Sequence, residues 1–253
     1  MNLSLSMAWV EVVALSSLRM AAFLIIAPPF SNKAFPGSVK AMLSIGIAIA
    51  LAGQNVDGYE TKDTVGFLLA ACTELIAGFA LGFLVFIIFS AIPAAGDLID
   101  LFGGFQIAQA YDPQMNVMQA QFGRLFQMTA LALLFASGAY QIVILGLTRS
   151  FDALPIGVPI NMGIAAESMI TAVSNMFIAA LQIAGPLLVV LFLADAGLGL
   201  LTRVAPALNA FSMSFPLKIF ITLALIGVVY AVLPEIVASL TGEAAKTLLG
   251  VTN

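Results

Sequence analysis

The sequence predicts an all-α membrane protein, and three observations carry that prediction. Of 253 residues, 62% are hydrophobic and only 9% charged, with a mean hydropathy of +1.11. A soluble domain carries about 25% charged and about 45–50% apolar residues, so this chain lacks the polar surface to enclose itself in water. Its apolar residues fall in long runs rich in Ala, Leu, Ile, Met and Gly, without the short period-2 strands of a barrel. Crossing the roughly 30 Å hydrocarbon core takes about 20 residues, so there is room for about six spans and no separate soluble enzyme domain.

Six stretches read as helical: 7–30, 39–53, 64–95, 125–147, 169–195 and 208–233. The opening MNLSLSMAWVEVV has no positive n-region and no small-residue cleavage site, so it reads as the start of the first helix. The second stretch has 15 residues, too few to cross comfortably, which makes it a candidate re-entrant or protein-buried helix. The third holds one charge, Glu74, in 32 residues. As a straight helix it would run about 48 Å, so it must tilt, break near Pro93 or leave the lipid against protein. Connections marked by breakers lie at 31–40, 54–63, 96–124, 149–167 and 195–206. The last two stretches also read as a separate helical hairpin. Segment 234–249 opens with Pro234 at a first helical position, followed by Glu235, and puts Ile236, Val237, Leu240, Leu248 and Leu249 on one face. It reads as an amphipathic helix lying on a membrane or partner, or docked on its own chain. With six spans, Lys33, Lys40, Arg124, Arg203 and Lys218 face Lys62, Arg149 and Lys246 across the membrane, too even a split to orient the chain.

Charge and reactive residues exclude several function classes. Nine Lys plus Arg against thirteen Asp plus Glu give a net charge of −4, and the positive residues are scattered from Arg19 to Lys246. A nucleic-acid partner needs a concentrated basic stripe, so that class is excluded. Histidine is absent and Cys72 is the single cysteine. Zinc sites, disulfide frameworks, haem attachment and Ser/His or Cys/His catalysis lack their parts, and neither a cofactor nor a metal is expected.

Glu11, Arg19, Glu74 and Asp195 lie within or at the ends of apolar stretches, where a charge costs at least about 2.5–3.5 kcal/mol on insertion scales. Glu11 and Arg19 are eight residues apart, roughly 12 Å along a helix, too far to pair directly, so their partners lie on other helices or other chains. They read as a proton or ion path, or as interhelical ties; the lack of His and of paired carboxylates on one span favours ties. Glu74, Gly78 and Gly82 share a face, and GFALG over 78–82 is a GxxxG pattern that lets two helix backbones approach closely. Between Gly103 and Gly123 the one charge is Asp112, followed by Pro113, while Gln106, Gln109, Gln114, Gln119 and Gln121 accompany Asn116, Met115 and Met118. Neutral amides and adaptable thioethers suit a confined, wet surface that closes a pore and slides along a non-uniform passenger such as an unfolded polypeptide. The same residues also read as an ordinary connecting loop turning at Asp112-Pro113.

Four motifs resemble the FliR family of flagellar export-gate subunits: RMAAFLIIAPPFSNKAFPGSVK over 19–40, GDLIDLFGGFQIAQAYDP over 96–113, LTRSFDALPIG over 147–157 and LGLLTRVAPALNAFSMSFPLK over 198–218. The last carries Arg203, Pro206, Asn209, Phe211, Pro216 and Lys218 in place; Thr202 and Asp152 depart from the residues frequent in the family. The resemblance implies a non-enzymatic core subunit of the type III protein export gate in the bacterial cytoplasmic membrane, at the flagellar basal body. It implies assembly with FliP and FliQ in one hetero-oligomeric core, with FlhB and FlhA nearby and unfolded flagellar proteins as the passengers. It further implies a FliP-like part over about 1–165, a FliQ-like C-terminal hairpin over about 166–253, and a loop at about 104–123 that plugs the closed pore. Arg203 and Lys218 are then expected in interhelical or intersubunit contacts, with Pro206 and Asn209 beside them. A homologous subunit of a virulence secretion system shares most of these features. A small secondary transporter is the competing class, but the chain shows no internal symmetry between halves.

Overall fold

The computed structural model describes residues 6–56, 58–105, 121–205 and 210–250. Every regular element among them is an α-helix: α1 (Met7–Ile26), α2 (Gly37–Asn55), α3 (Thr64–Phe89), α4 (Ala91–Gly103), α5 (Gln121–Ala136), α6 (Ala139–Ala153), α7 (Met162–Val204) and α8 (Ala210–Gly250). Five segments are long and apolar enough to cross a membrane: α1, α2, α3 with α4, α7, and most of α8. The bent pair of α5 and α6 makes a sixth if it counts as one span.

Several boundaries correct the sequence reading. Stretch 39–53 becomes a helix of 19 residues because Gly37, Ser38, Gln54 and Asn55 extend it. At 1.5 Å per residue it covers about 28 Å, enough to cross. It packs on α1 and buries only Ser44, Ala48 and Ala52, while Met42, Ile45 and Ile49 stay exposed. It is therefore a full-length helix with an outward apolar face, rather than a short protein-buried one. The long stretch 64–95 does break near Pro93: α3 ends at Phe89 and α4 starts at Ala91. Pro93 has no N–H to offer the Phe89 carbonyl, and its ring crowds that turn. Stretch 125–147 is two helices, divided at Gly138, where φ is +72°. Chain 195–204, expected as a connection, is the last part of α7, and Pro234 starts no new helix but lies inside α8. Pro186, Pro216 and Pro234 are tolerated within these helices because a proline deletes a single helical hydrogen bond, which packing around it offsets.

The chain forms two compact units. The first comprises Met1–Ile88, Leu134–Val173 and Ser239–Asn253. Its core gathers Val12, Leu15, Met20 and Phe23 of α1, Leu81 and Leu84 of α3, Val143 and Leu147 of α6, and Ala244 and Leu248 of α8. Leu248 sits over Gly146, so the apolar face of the C-terminal segment is docked on its own chain. The second unit comprises Phe89–Leu133 and Ser174–Ala238. Ile92, Ala95 and Ile99 of α4, Phe126 of α5, Leu187 and Leu191 of α7, and Leu233 of α8 form its core. In that unit the Thr129 and Tyr230 hydroxyls are hydrogen-bonded, joining α5 to α8.

Candidate functional site

In the first unit the polar residues converge on Arg19, which is fully buried. Its Nε donates to Glu74 Oε2 at 2.5 Å and its Nη2 to Glu74 Oε1 at 3.0 Å, a two-point pair with both side chains inaccessible to solvent. Its Nη1 donates to the Leu154 carbonyl at 2.9 Å, with the Ser150 carbonyl at 3.5 Å. These carbonyls belong to the C-terminal end of α6, where the helix dipole is negative; the Ser150 carbonyl already accepts the Leu154 N–H, and the guanidinium caps the end chiefly through the Leu154 carbonyl. The Phe151 ring lies 4.1 Å below the guanidinium carbon. Glu74 Oε1 also accepts the Gly157 N–H at 2.8 Å. The Leu-Pro-Ile-Gly turn thus presents a carbonyl to Arg19 and an amide to Glu74. Gly157 is at φ +79°, a left-handed conformation that side chains disfavour, which explains the glycine closing that motif.

The glycine pair sets the approach that makes this pairing reachable. A Cβ on Gly78 would collide with the Arg19 carbonyl and lie 2.8 Å from the Ala22 Cβ; one on Gly82 would lie 3.1 Å from the Phe23 carbonyl. Residues advance together along the two helices, so α1 and α3 run in the same direction with backbones in contact, while α2 returns between them in sequence. Glu74 sits one turn before Gly78 on the same face, and the Arg19 side chain leans back toward the N-terminus of α1 to reach it.

Glu11, one end of the same helix, is also buried, and its Oε2 accepts the Tyr59 hydroxyl at 3.0 Å and the Lys62 N–H at 3.2 Å. Both donors come from the connection between α2 and α3. Burial, reinforced by the hydrogen bond to Glu11 and by the charges of Glu11 and Glu74, pushes the Tyr59 hydroxyl up from 10.0 to about 12. A group whose neutral form is favoured in the folded chain contributes stability that is complete below its unfolded value and lost as pH rises through its folded one. Tyr59 should therefore hold its proton up to about pH 12, and its contribution should fade between 10 and 12. Tyrosinate absorbance during an alkaline titration checks this: Tyr59→Phe should remove the last phase, and an unchanged late phase would contradict it.

In the second unit, Lys218 Nζ lies 2.6 Å from Asp195 Oδ2, and Ser214 Oγ donates to Asp195 Oδ1 at 3.3 Å, joining α8 to α7. Arg203 is exposed. Pro206 and Asn209 lie outside the described residues, as do Gln106, Gln109, Asp112, Pro113, Gln114, Met115 and Met118. The residues flanking 106–120 are described. Asp100, fully buried on α4, accepts the Phe122 N–H at 2.7 Å and the Gly123 N–H at 3.3 Å on Oδ2, while its backbone carbonyl accepts the Phe105 N–H at 3.1 Å.

The sequence reading missed Asp100, Tyr59 and the α6 terminus as partners. For Asp100 a signal existed: Asp97 and Asp100 stand one turn apart in an otherwise apolar segment, and the Gly103-Gly104 pair marks a helix end just beyond. The other partners are backbone groups or distant in sequence, and spacing carries no trace of them.

Among the described residues no group of His, Cys, Asp and Glu is placed to hold a metal. What the arrangement does is join helices through buried charges that meet opposite charges or backbone groups of other elements. Comparison with known proteins gives that scaffold its setting. Residues 10–244 match the family described as bacterial export proteins, family 1. The chain is similar to the flagellar biosynthetic protein FliR of Bacillus subtilis (strain 168), with 30% identity over 92% of each chain. It is also similar to the FliR of Escherichia coli (strain K12), with 30% identity over 87% of this chain and 84% of the relative. The Yop proteins translocation protein T of Yersinia pestis is 28% identical over 79% of this chain and 78% of its own. Since the family match takes in α1, the Arg19 and Glu74 pair, the residues flanking 106–120 and nearly all of α8, the chain belongs to the bacterial export proteins, family 1.

Proposed function

We propose that the chain is a membrane subunit of the flagellar type III export gate, seated in the bacterial cytoplasmic membrane, where it helps form and plug the channel through which unfolded flagellar proteins leave the cell. The observation that carries this reading is the family match over 10–244 together with FliR relatives that align along about nine tenths of the chain. The flagellar assignment follows the FliR relatives, which align over more of the chain than the Yersinia one.

Helix length supports a place among sister subunits. α7 has 43 residues and α8 has 41, about 64 and 62 Å of helix at 1.5 Å per residue. Lipid covers about 30 Å of that. Yet apolar side chains stay exposed along both, from Ile170, Phe177 and Leu181 to Phe192 and Leu200 on α7, and from Phe220 to Val232 on α8. The excess needs protein to cover it. FliP and FliQ in one hetero-oligomeric core, with FlhB and FlhA nearby, are the partners this reading assigns. In this reading about 1–165 is the FliP-like part and about 166–253 the FliQ-like hairpin, whose two long helices the Asp195 and Lys218 pair joins. Its role is passive, with the plug over 104–123 presenting Gln106, Gln109, Asp112, Pro113, Gln114, Met115 and Met118 to the pore.

Two experiments test the reading. Shortening the loop between Gly104 and Gly123 should make the membrane leaky to ions while the export particle still purifies intact; an intact particle without leak would rule out the plug. Arg203 is exposed and is assigned to a sister subunit. Arg203→Leu should abolish co-purification with the partner subunits, and normal assembly would remove that role.

A further inference from the structure

We propose that one end of the first unit, formed by residues 27–40 and 135–141, binds the headgroup of an anionic phospholipid whose acyl chains lie along the outward face of α2. This rests on the membrane seating read above, but not on the export role. The end is built on a cluster of rings. Phe30 and Phe35, from the turn between α1 and α2, lie with ring centroids 6.5 and 5.6 Å from Phe135, and Phe135 meets Tyr140 at 5.4 Å. Phe30 is buried, whereas Phe135 is 38% exposed. The Tyr140 hydroxyl accepts the exposed Gln141 side-chain amide at 3.3 Å. Rings with an apolar base and a polar rim suit the boundary between hydrocarbon and water.

Charge decides which kind of headgroup this end attracts. Lys33 is exposed in the turn, and Lys40 is partly exposed in the first turn of α2. Neither is paired with an acid among the described residues, and residues 27–41 and 134–141 contain no Asp or Glu. The opposite end of the unit, where α2 and α6 finish and α3 and α7 begin, has the reverse balance. There Glu60, Asp63, Asp152 and Glu167 are exposed against Lys62 and Arg149. An anionic headgroup is therefore drawn to the end with Lys33 and Lys40 and repelled from the other.

The surface leading away from these lysines is hydrocarbon. Val39, Met42, Ile45 and Ile49 are 41–65% exposed along one side of α2, while Ser44, Ala48 and Ala52 are buried on the side that packs on α1. Between Lys40 and Gln54 every residue that is not buried is apolar or glycine. Ile49 is nine residues beyond Lys40, about 14 Å along the helix. Cations at one end and aliphatic side chains running from them match an amphiphile, with its charge at the head and its hydrocarbon below. Lysine stems follow apolar surface while the ammonium reaches a phosphate. A free phosphate ion would meet the lysines and leave the face of α2 bare.

The test exposes the purified export particle, in detergent micelles, to phosphatidylglycerol carrying a diazirine on one acyl chain, and maps the crosslinks by mass spectrometry. Crosslinks are expected on the peptide that holds Met42, Ile45 and Ile49. Unlabelled phosphatidylglycerol should compete them away at concentrations where phosphatidylcholine does not, and inorganic phosphate should not compete. Lys33→Gln and Lys40→Gln should each raise the competing concentration about fivefold, the factor to which about 1 kcal/mol per lysine converts. Lys62→Gln, at the opposite end, should leave it unchanged. Equal competition by phosphatidylcholine would show that no headgroup is selected, and competition by phosphate would show a site for a free anion. Absence of crosslinks in the intact particle would show that protein covers α2. Each of these results overturns the proposal, as does an unchanged competing concentration in both lysine variants. Should those variants fail to enter the membrane, the three competitors on the unaltered particle decide. The export reading is scored separately, by which subunits the particle contains. Loss of selectivity in a particle that keeps its partners leaves that reading standing, and a chain that purifies alone with selectivity intact removes it alone.

Discussion

Arg19→Leu is expected to destabilise the first unit by about 3–5 kcal/mol, because it leaves the Glu74 carboxylate buried without its counter-charge. Glu74→Leu should be comparably severe, stranding the guanidinium beside Phe151. The double variant Arg19→Leu with Glu74→Leu should recover part of the loss, since two apolar side chains of similar volume carry no unpaired charge. It should not recover all of it. The Leu154 carbonyl and the Gly157 amide would still lack partners, and each orphaned group costs about 1–3 kcal/mol. Heating the purified particle in detergent and measuring the fraction that stays monodisperse reads all three variants. A midpoint for Arg19→Leu equal to the unaltered protein, or a double variant worse than both singles, would sink this account of the site.

The second large effect lies one turn away. Gly78→Ala should destabilise by at least about 1–3 kcal/mol, the usual cost of overpacking, because the new methyl meets backbone of α1 that cannot swing aside. Gly82→Ala should cost less, since its nearest neighbours at 3.1–3.2 Å need to give by only a few tenths of an ångström. A larger residue such as Leu at 78 should do more than either: forcing α1 from α3 also pulls Arg19 from Glu74. The same thermal assay ranks them, and the expected order is Leu at 78, then Ala at 78, then Ala at 82. Equal effects of Ala at the two glycines would show that the helices do not touch as described.

These two sites differ in how much of them the sequence reveals. The spacing of Gly78 and Gly82 is visible in one helix and announces a close approach, though it leaves the partner helix unnamed. Arg19 and Glu74 each announce a need, because a lone charge in an apolar run must be met somewhere. Their meeting is not announced, since 55 residues separate them and the remaining partners are backbone groups of the turn at 154–157. Asp100 shows the same split: a second carboxylate one turn after Asp97 in an apolar segment announces a need, whereas the Phe122 and Gly123 amides that meet it lie 22 and 23 residues further on.

The all-α class, the membrane setting and a proline at the place where the long third stretch could break are legible in the sequence. Each follows from forces that act within a turn or two: a hydrophobic run too long for water, and a proline ring that removes one amide. It takes the folded chain to show that Pro186, Pro216 and Pro234 stay inside continuous helices, that α2 runs its full length, and that Arg19, Glu74 and the end of α6 form one paired cluster. Those outcomes depend on what lies across from a residue in space. A buried polar group is stable only when its partners surround it, and that condition is met by the fold as a whole.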